Sequence, residues 1–267
     1  MVTVKHLLLI LFLTPLLVYA KPVSKVTNNK PTLSSAYGVF DITANEFNLE
    51  ENISEVKSIA SITKLFTAAT ILRSGVDMYE LVKVQGRSGG RFARGSFVPR
   101  IDLFKAMLIS SDNLASESLA MAHPNGYLGF LEDVERTVEH AGLEHTRIVD
   151  STGLLADNKS TVKDLSKFLI YLQGYPMVLT VAGEKEDQVK YHPPKSKKSI
   201  TVFLKNTNPS MWVYDTIVMS KTGFTNAAGR CVAMLMRRGS DVVVVVILGQ
   251  RDLKTRTATV NNLVARM

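Results

Sequence analysis

Alternation of apolar and polar positions marks the first ordered stretch of the chain. "SAYGVFDI" from Ser35 reads as a strand, and "EFNLEEN", after the turn around Thr43 to Asn45, returns as a second short strand. The period changes at Ile62. In "ITKLFTAATIL" the apolar residues Ile62, Leu65, Phe66, Ala69, Ile71 and Leu72 lie nearly all round a helix, which predicts a helix buried at the centre of a domain. Spacings of three and four then recur over residues 102–122, 127–141 and 161–172, predicting three helices with turns at "HPNG" and "STGLLADNKS". The last third returns to strand-length runs, "DTIVMSKTGF", "GRCVAMLMRR" and "SDVVVVVILG", separated by "TNAAG" and "RRGSD". They predict an antiparallel meander, with "TRTATVNNLVARM" as a closing helix.

Strands at both ends with helices between them predict an α+β fold: an antiparallel sheet shared by N- and C-terminal strands, packed with a helical subdomain inserted over about residues 75–200. The chain's 267 residues, 46% of them hydrophobic, suffice for one such domain over residues 35–267. No internal repeat is visible. Residues 21–34, "KPVSKVTNNKPTLS", read as a flexible linker. Residues 1–20 combine a basic start, an apolar stretch shorter than a membrane span and a small residue at Ala20, which predicts a cleaved signal peptide. "VVVVVIL" at 242–248 has strand length, so the mature protein is expected to be exported and soluble, without a transmembrane anchor.

Export usually brings disulfides, yet Cys231 is the one cysteine; within "CVAML" it is expected as a small buried residue of a strand. The formal charge of +8 favours an acidic partner, whether nucleic acid, anionic lipid or an envelope polymer, and the export signal argues against nucleic acid.

Ser61 and Lys64 stand at i and i+3, on one helical face, at the head of the apolar run. A lysine accepts a serine proton only when neutral, which burial favours. The same spacing at Ser54–Lys57 and Ser160–Lys163 opens no strongly apolar helix, and a capped helix start is the plainer reading of Ser61 itself. Ser111 and Asn113, in "ISSDNLASESLA", can relay protons and hydrogen-bond a peptide-like substrate, or serve as a helix cap. In Lys221-Thr222-Gly223, at the end of a strand-like run, the lysine and hydroxyl suit a carboxylate and the glycine admits a ligand backbone. The glycine-rich "GRSGGRFARGS" lacks the Gly-Lys-Ser/Thr ending of a phosphate loop, and His123, His140, His145 and His192 have no metal-ligand spacing. Neither metal nor cofactor is expected.

Ser-x-x-Lys, Ser-Asp-Asn and Lys-Thr-Gly, in that order, form the motif set of class A β-lactamases and penicillin-binding proteins. With "SIASITKLFTA", "MLISSDNLASESLA", "DSTGL" and "SKTGFTNAAGRC", residues 35–248 resemble the low-molecular-mass penicillin-binding proteins, the serine-type D-alanyl-D-alanine peptidases. The resemblance implies a β-lactamase/transpeptidase-like fold, Ser61 as acylated nucleophile and Lys64 as general base. It makes Ser111 and Asn113 the second motif, Lys221, Thr222 and Gly223 the carboxylate site, and the N–H groups of Ser61 and Phe224 the oxyanion hole. It also implies peptidoglycan stem peptides as substrate, β-lactams as inhibitors, and a periplasmic location. "HPPKSKKS" at 192–199 then either meets acidic peptidoglycan or is a solvated surface loop.

A class A β-lactamase carries Glu-x-x-Leu-Asn between the second and third motifs; here "DSTGLLADN" occupies that region, which speaks against rapid clearance of β-lactams. "KTGFTNAAGRC" and the short tail resemble the soluble D-alanyl-D-alanine endopeptidases, with carboxypeptidase as the alternative. A penicillin-recognising sensor, or a basic envelope-binding protein carrying the motifs by coincidence, would be the non-enzymatic readings. The coincidental binder predicts that Ser61→Ala leaves its activity unchanged.

Overall fold

The computed structural model describes residues 34–267; the expected signal peptide and all of the linker but Ser34 lie outside them. The chain opens with a hairpin of β1 (Ala36–Asp41) and β2 (Glu46–Glu51). The Asp41 carboxylate accepts from the N–H groups of Thr43 and Ala44 at 2.9 Å each, an Asx turn that fixes the reversal. The two-residue β3 (Lys57–Ser58) and a 3₁₀ turn at Ala60–Ile62 lead into α1 (Thr63–Arg73). There follow β4 (Leu81–Lys83), β5 (Phe97–Pro99), α2 (Arg100–Ile109), α3 (Asn113–Met121), α4 (Gly126–His140), β6 (Lys159–Ser160), α5 (Val162–Tyr171) and α6 (Pro176–Gly183). A second hairpin, β7 (Glu186–Tyr191) with β8 (Ile200–Lys205), precedes β9 (Ile217–Thr225), β10 (Gly229–Arg238), β11 (Asp241–Gln250) and α7 (Leu253–Ala265).

The first and last strands share one antiparallel sheet, in the order β2-β1-β11-β10-β9. Its centre is the valine run of β11, apolar without alternation because both faces are covered. Val244, Val246 and Leu248 join the larger core with Ile62, Phe66 and Phe168, whose two rings stack at 3.8 Å. Val243, Val245 and Ile247 face the other way, against Val260 and Leu263 of α7. The all-round apolar α1 is sheathed accordingly: every residue from Thr63 to Ile71 is buried.

Three features depart from the sequence expectation. The helix expected over 102–122 is two helices, broken at Ser110–Asp112, where Ser111 takes φ +57°. The helical middle also contains α6 and the β7–β8 hairpin, which were not anticipated. Eight residues opening on a proline are too short to show a period, and β7 turns only Val189 and Tyr191 fully inward. Finally, β9 runs on through Lys221-Thr222-Gly223 to Thr225 instead of ending there. No helix among the described residues is long and apolar enough to cross a membrane.

Candidate active site

No side chain caps the start of α1, so Ser61 is not there as a cap. It sits in the 3₁₀ turn after Ala60, whose φ of +48° is unusual for a residue with a side chain. Lys64, one turn on and fully buried, has its Nζ 2.9 Å from Ser61 Oγ, 2.7 Å from Asn113 Oδ1 and 2.6 Å from the Thr152 carbonyl. Burial lowers its pKa to about 7, against the opposing pull of Asp150, Asp112 and Glu117. Two of the three partners can only accept, whereas the third is a hydroxyl. A neutral Lys64 that donates to Asn113 and Thr152 therefore keeps its lone pair for the Ser61 proton.

The Thr152 carbonyl is held in place by a buried carboxylate. Asp150 accepts from the N–H groups of Thr152 (2.5 Å), Gly153 (2.6 Å) and Leu155 (2.9 Å), from Thr152 Oγ1 (2.8 Å) and from Asn158 Nδ2 (2.9 Å). Burial alone would raise its pKa, but these hydrogen bonds bring it below the ordinary carboxylate value. Asn158 ties the loop to the strand before Ser61, its carbonyl accepting from Ile59 N–H at 3.0 Å. Gly153, at φ +83°, lies so near that a Cβ there would stand 1.9 Å from the Ala60 carbonyl oxygen.

In the break between α2 and α3, Asp112 is the helix cap, accepting from Ala115 N–H at 2.8 Å. Its neighbours are freed for other contacts. Ser111 Oγ accepts from Lys221 Nζ at 2.9 Å, and Asn113 meets Lys64 as described. Lys221 also donates to the Thr222 carbonyl at 2.9 Å and is 1% exposed. Burial, then the charges of Lys64 and Arg256, hold its pKa well below the usual lysine value. Gly223 lets β9 come against the turn that carries Ser61: a Cβ on it would lie 2.9 Å from Ser61 N.

Ser61, Ser111, Thr222, Gly223 and Phe224 line one cleft of about 260 Å³. Lys221 is not among its walls; the cations that are, Arg230 and Arg256, carry no motif and were missed in the sequence. Arg230 lies over the Phe224 ring at 3.8 Å. Arg256, from α7, is 3% exposed, reaches the Cys231 carbonyl at 3.4 Å through Nη1, and leaves Nε without a partner. Burial and the neighbouring Arg230 lower its pKa to about 10. Only the packing of α7 on the sheet reveals it, since nothing in "TRTATVNNLVARM" distinguishes that arginine. A roomier hollow of about 490 Å³ beside Leu128 and Ile148 is lined by none of the motif residues. Among the described residues no three His, Cys, Asp or Glu gather closely enough to hold a metal ion.

Residues 24–252 match the family model described as D-alanyl-D-alanine carboxypeptidase. The chain is 32% identical to a D-alanyl-D-alanine endopeptidase of Escherichia coli (strain K12), over 86% of this chain and 76% of that one. To a D-alanyl-D-alanine endopeptidase of Pseudomonas aeruginosa it is 33% identical, over 72% and 64%. Among solved structures, the Streptomyces K15 DD-transpeptidase superposes with a TM-score of 0.80 at 20% identity, covering 88% of this chain and 95% of that one. Penicillin-binding protein D2 of Listeria monocytogenes, in a cefotaxime-bound form, gives 0.72 at 24% identity, covering 86% and 95%. These two likenesses establish the fold.

Proposed function

Because the chain belongs to the D-alanyl-D-alanine carboxypeptidase family of serine DD-peptidases, we propose that Ser61 is its nucleophile and that it cuts the peptide cross-links of peptidoglycan as an endopeptidase. The observation that carries the reading is the Ser61–Lys64 pair, 2.9 Å apart, with Lys64 buried and held by two groups that can only accept.

Ser61 Oγ attacks the carbonyl of the D-alanine that joins two stem peptides, and Lys64 takes the hydroxyl proton. The N–H groups of Ser61 and Phe224 receive the oxyanion; losing one such donor costs about 3 kcal/mol of transition-state stabilisation. The C–N bond breaks, and the amine of the second stem leaves with a proton relayed through Ser111, which Lys221 orients. Water then enters and attacks the acyl carbonyl as Lys64 takes one of its protons; the C–Oγ bond breaks, Lys64 returns that proton to Ser61 Oγ, and the acid is released. Among the described residues no acceptor meets Asn113 Nδ2, which leaves that amide for the substrate backbone. A carboxylate beside the scissile bond is taken by Thr222 with Arg256 and Arg230, the cations of the cleft wall. Lys221 lies behind the wall, donating to Ser111 and to the Thr222 carbonyl. Gly223 lets the substrate backbone lie along β9, at the edge of the sheet.

β-Lactams acylate Ser61 in this reading and clear slowly. Asp150, the carboxylate nearest the Ser61–Lys64 pair on its loop, is engaged by five donors and is not free to activate water. The expected signal peptide supports a periplasmic location in this reading. The name of the family model supports carboxypeptidase activity as the second reading.

The test is intact-mass spectrometry after benzylpenicillin, beside Ser61→Ala, followed by digestion of purified muropeptides. A stable adduct on the wild type alone, with dimers converted to monomers, is expected. Release of D-alanine from monomers without dimer cleavage would make it a carboxypeptidase. No adduct, together with full activity in Ser61→Ala, would overturn the assignment.

A further inference from the structure

Two stretches distant in sequence, residues 81–100 and 188–205, hold ten of the chain's 32 Lys and Arg and none of its 24 Asp and Glu. The remaining residues are by themselves slightly acidic, so these two stretches account for the whole positive excess of the protein. The fold sets them side by side. Tyr191 Oη accepts from the Ala93 N–H at 3.0 Å, and the rings of Phe92 and Tyr191 meet edge to face at 5.2 Å, both buried. A Cβ on Gly95 would lie in contact with Pro194, at 3.5 Å. Bringing two cationic loops together is opposed by their mutual repulsion, and the buried aromatic contact supplies the attraction that offsets it.

Part of this charge is internally satisfied. Arg94 donates to the carbonyls of Gly86, Arg87 and Ser88 at 2.6 to 3.0 Å, Arg100 pairs with Glu80, and Arg91 is 3.7 Å from Asp112. Lys83, Arg87, Lys190, Lys195, Lys197 and Lys198 are exposed and have no carboxylate partner among the described residues. The surface also adjoins the site. Arg91 N–H donates to Asp112 at 2.7 Å, and the main chain of Lys205 brackets Ser110 Oγ at 2.9 and 3.2 Å. The turn that carries Ser111 is thus gripped between the two basic stretches.

We infer that this surface, outside the cleft, binds the anionic wall polymer through the free carboxylates of successive stem peptides and so holds the enzyme on an intact wall. The inference rests on the reading of peptidoglycan as substrate. Flexible lysines on two loops suit a polymer of repeated carboxylates, where many weak contacts add without a fixed geometry.

The experiment compares the wild-type protein with Arg87→Gln/Lys195→Gln/Lys197→Gln/Lys198→Gln in three assays: co-sedimentation with purified sacculi at rising NaCl, release of material from those sacculi, and cleavage of soluble muropeptide dimers. Phosphatidylglycerol vesicles serve as a second polyanion. Binding of the wild type to sacculi should fall about tenfold between 50 and 300 mM salt, and the variant should bind about fivefold more weakly at 50 mM. Sacculus digestion should drop with it, while dimer cleavage and the benzylpenicillin adduct stay within about twofold. Equal binding of variant and wild type to sacculi would overturn the inference. So would a loss confined to the vesicles, which would assign the surface to a membrane. Failure of the wild type to form the adduct or cleave dimers sinks the proposed function instead, and is read in separate assays.

Discussion

Lys64 donates to the Thr152 carbonyl at 2.6 Å, so a main-chain oxygen from a loop distant in sequence holds the amine beside Ser61. This contact orients the base, while burial is what favours its neutral form. With its pKa lowered to about 7 by burial, Lys64 is protonated in acid and unable to accept. The second-order rate of penicillin acylation should therefore rise about tenfold per pH unit below 7 and level off above it. Stopped-flow acylation from pH 5 to 9 measures this. A flat profile would remove Lys64 from the role of base.

Asp150 opposes the lowering of the Lys64 pKa. Replacing its charge by Asp150→Asn should move the midpoint of that profile to lower pH, because the protonated lysine loses a favourable neighbour. A midpoint that rises would contradict the sign. Far-UV circular dichroism guards against a collapsed loop.

Burying Lys64 also couples stability to pH. Its folded pKa lies below the unfolded value of 10.5, so between about 7 and 10.5 the unfolded chain binds a proton that the native state does not. Stability from this group accordingly falls as pH drops through that window and is constant below it. Urea denaturation at pH 7 and pH 9.5 should show Lys64→Met gaining less on going to high pH than the wild type does. Lys221, also depressed, contributes a remaining rise in both.

Gly153→Ala should cost about 3 kcal/mol, for two reasons that add. The new Cβ meets the Ala60 carbonyl oxygen at 1.9 Å, and φ +83° is strained for alanine. The displaced backbone is that of the turn carrying Ser61, so the acylation rate should fall together with the denaturation midpoint. A variant as stable and as fast as wild type would show that the loop yields without effect.

Arg256→Leu should lower kcat/KM at least tenfold for dimers with a free carboxylate beside the scissile bond. A substrate amidated at that carboxylate should be cleaved equally by variant and wild type. Equal losses on both substrates would reduce Arg256 to a structural role.

The strand of the valine run in β11 was legible, as was the sheathing of α1 in apolar residues all round it. The three motifs were equally legible, because order along the chain supplied what each lacked alone. What escaped was set by tertiary contact. The polar residues of "ISSDNLASESLA" mark an interruption, but the φ of +57° at Ser111 that separates α2 from α3 shows in no period, and Asp150 becomes a staple only once five donors converge on it. Arg256 is an ordinary helical arginine until α7 lies down on the sheet. Lys221 reads as a partner for a substrate carboxylate, and its burial against Ser111 is what the sequence alone does not show.

The antiparallel pairing of β1 with β11 fixes when this enzyme can come to life. A chain made from its amino terminus has Ser61 and Lys64 almost from the outset, but β1 waits for residues 241–250 before it gains its second neighbour. The cleft waits longer still, for Arg256. Long-range closure of this kind is slow relative to local helix formation. A chain still lacking β11 and α7 therefore holds Ser61 and Lys64 without the sheet neighbour of β1 and without the cleft wall that Arg256 supplies.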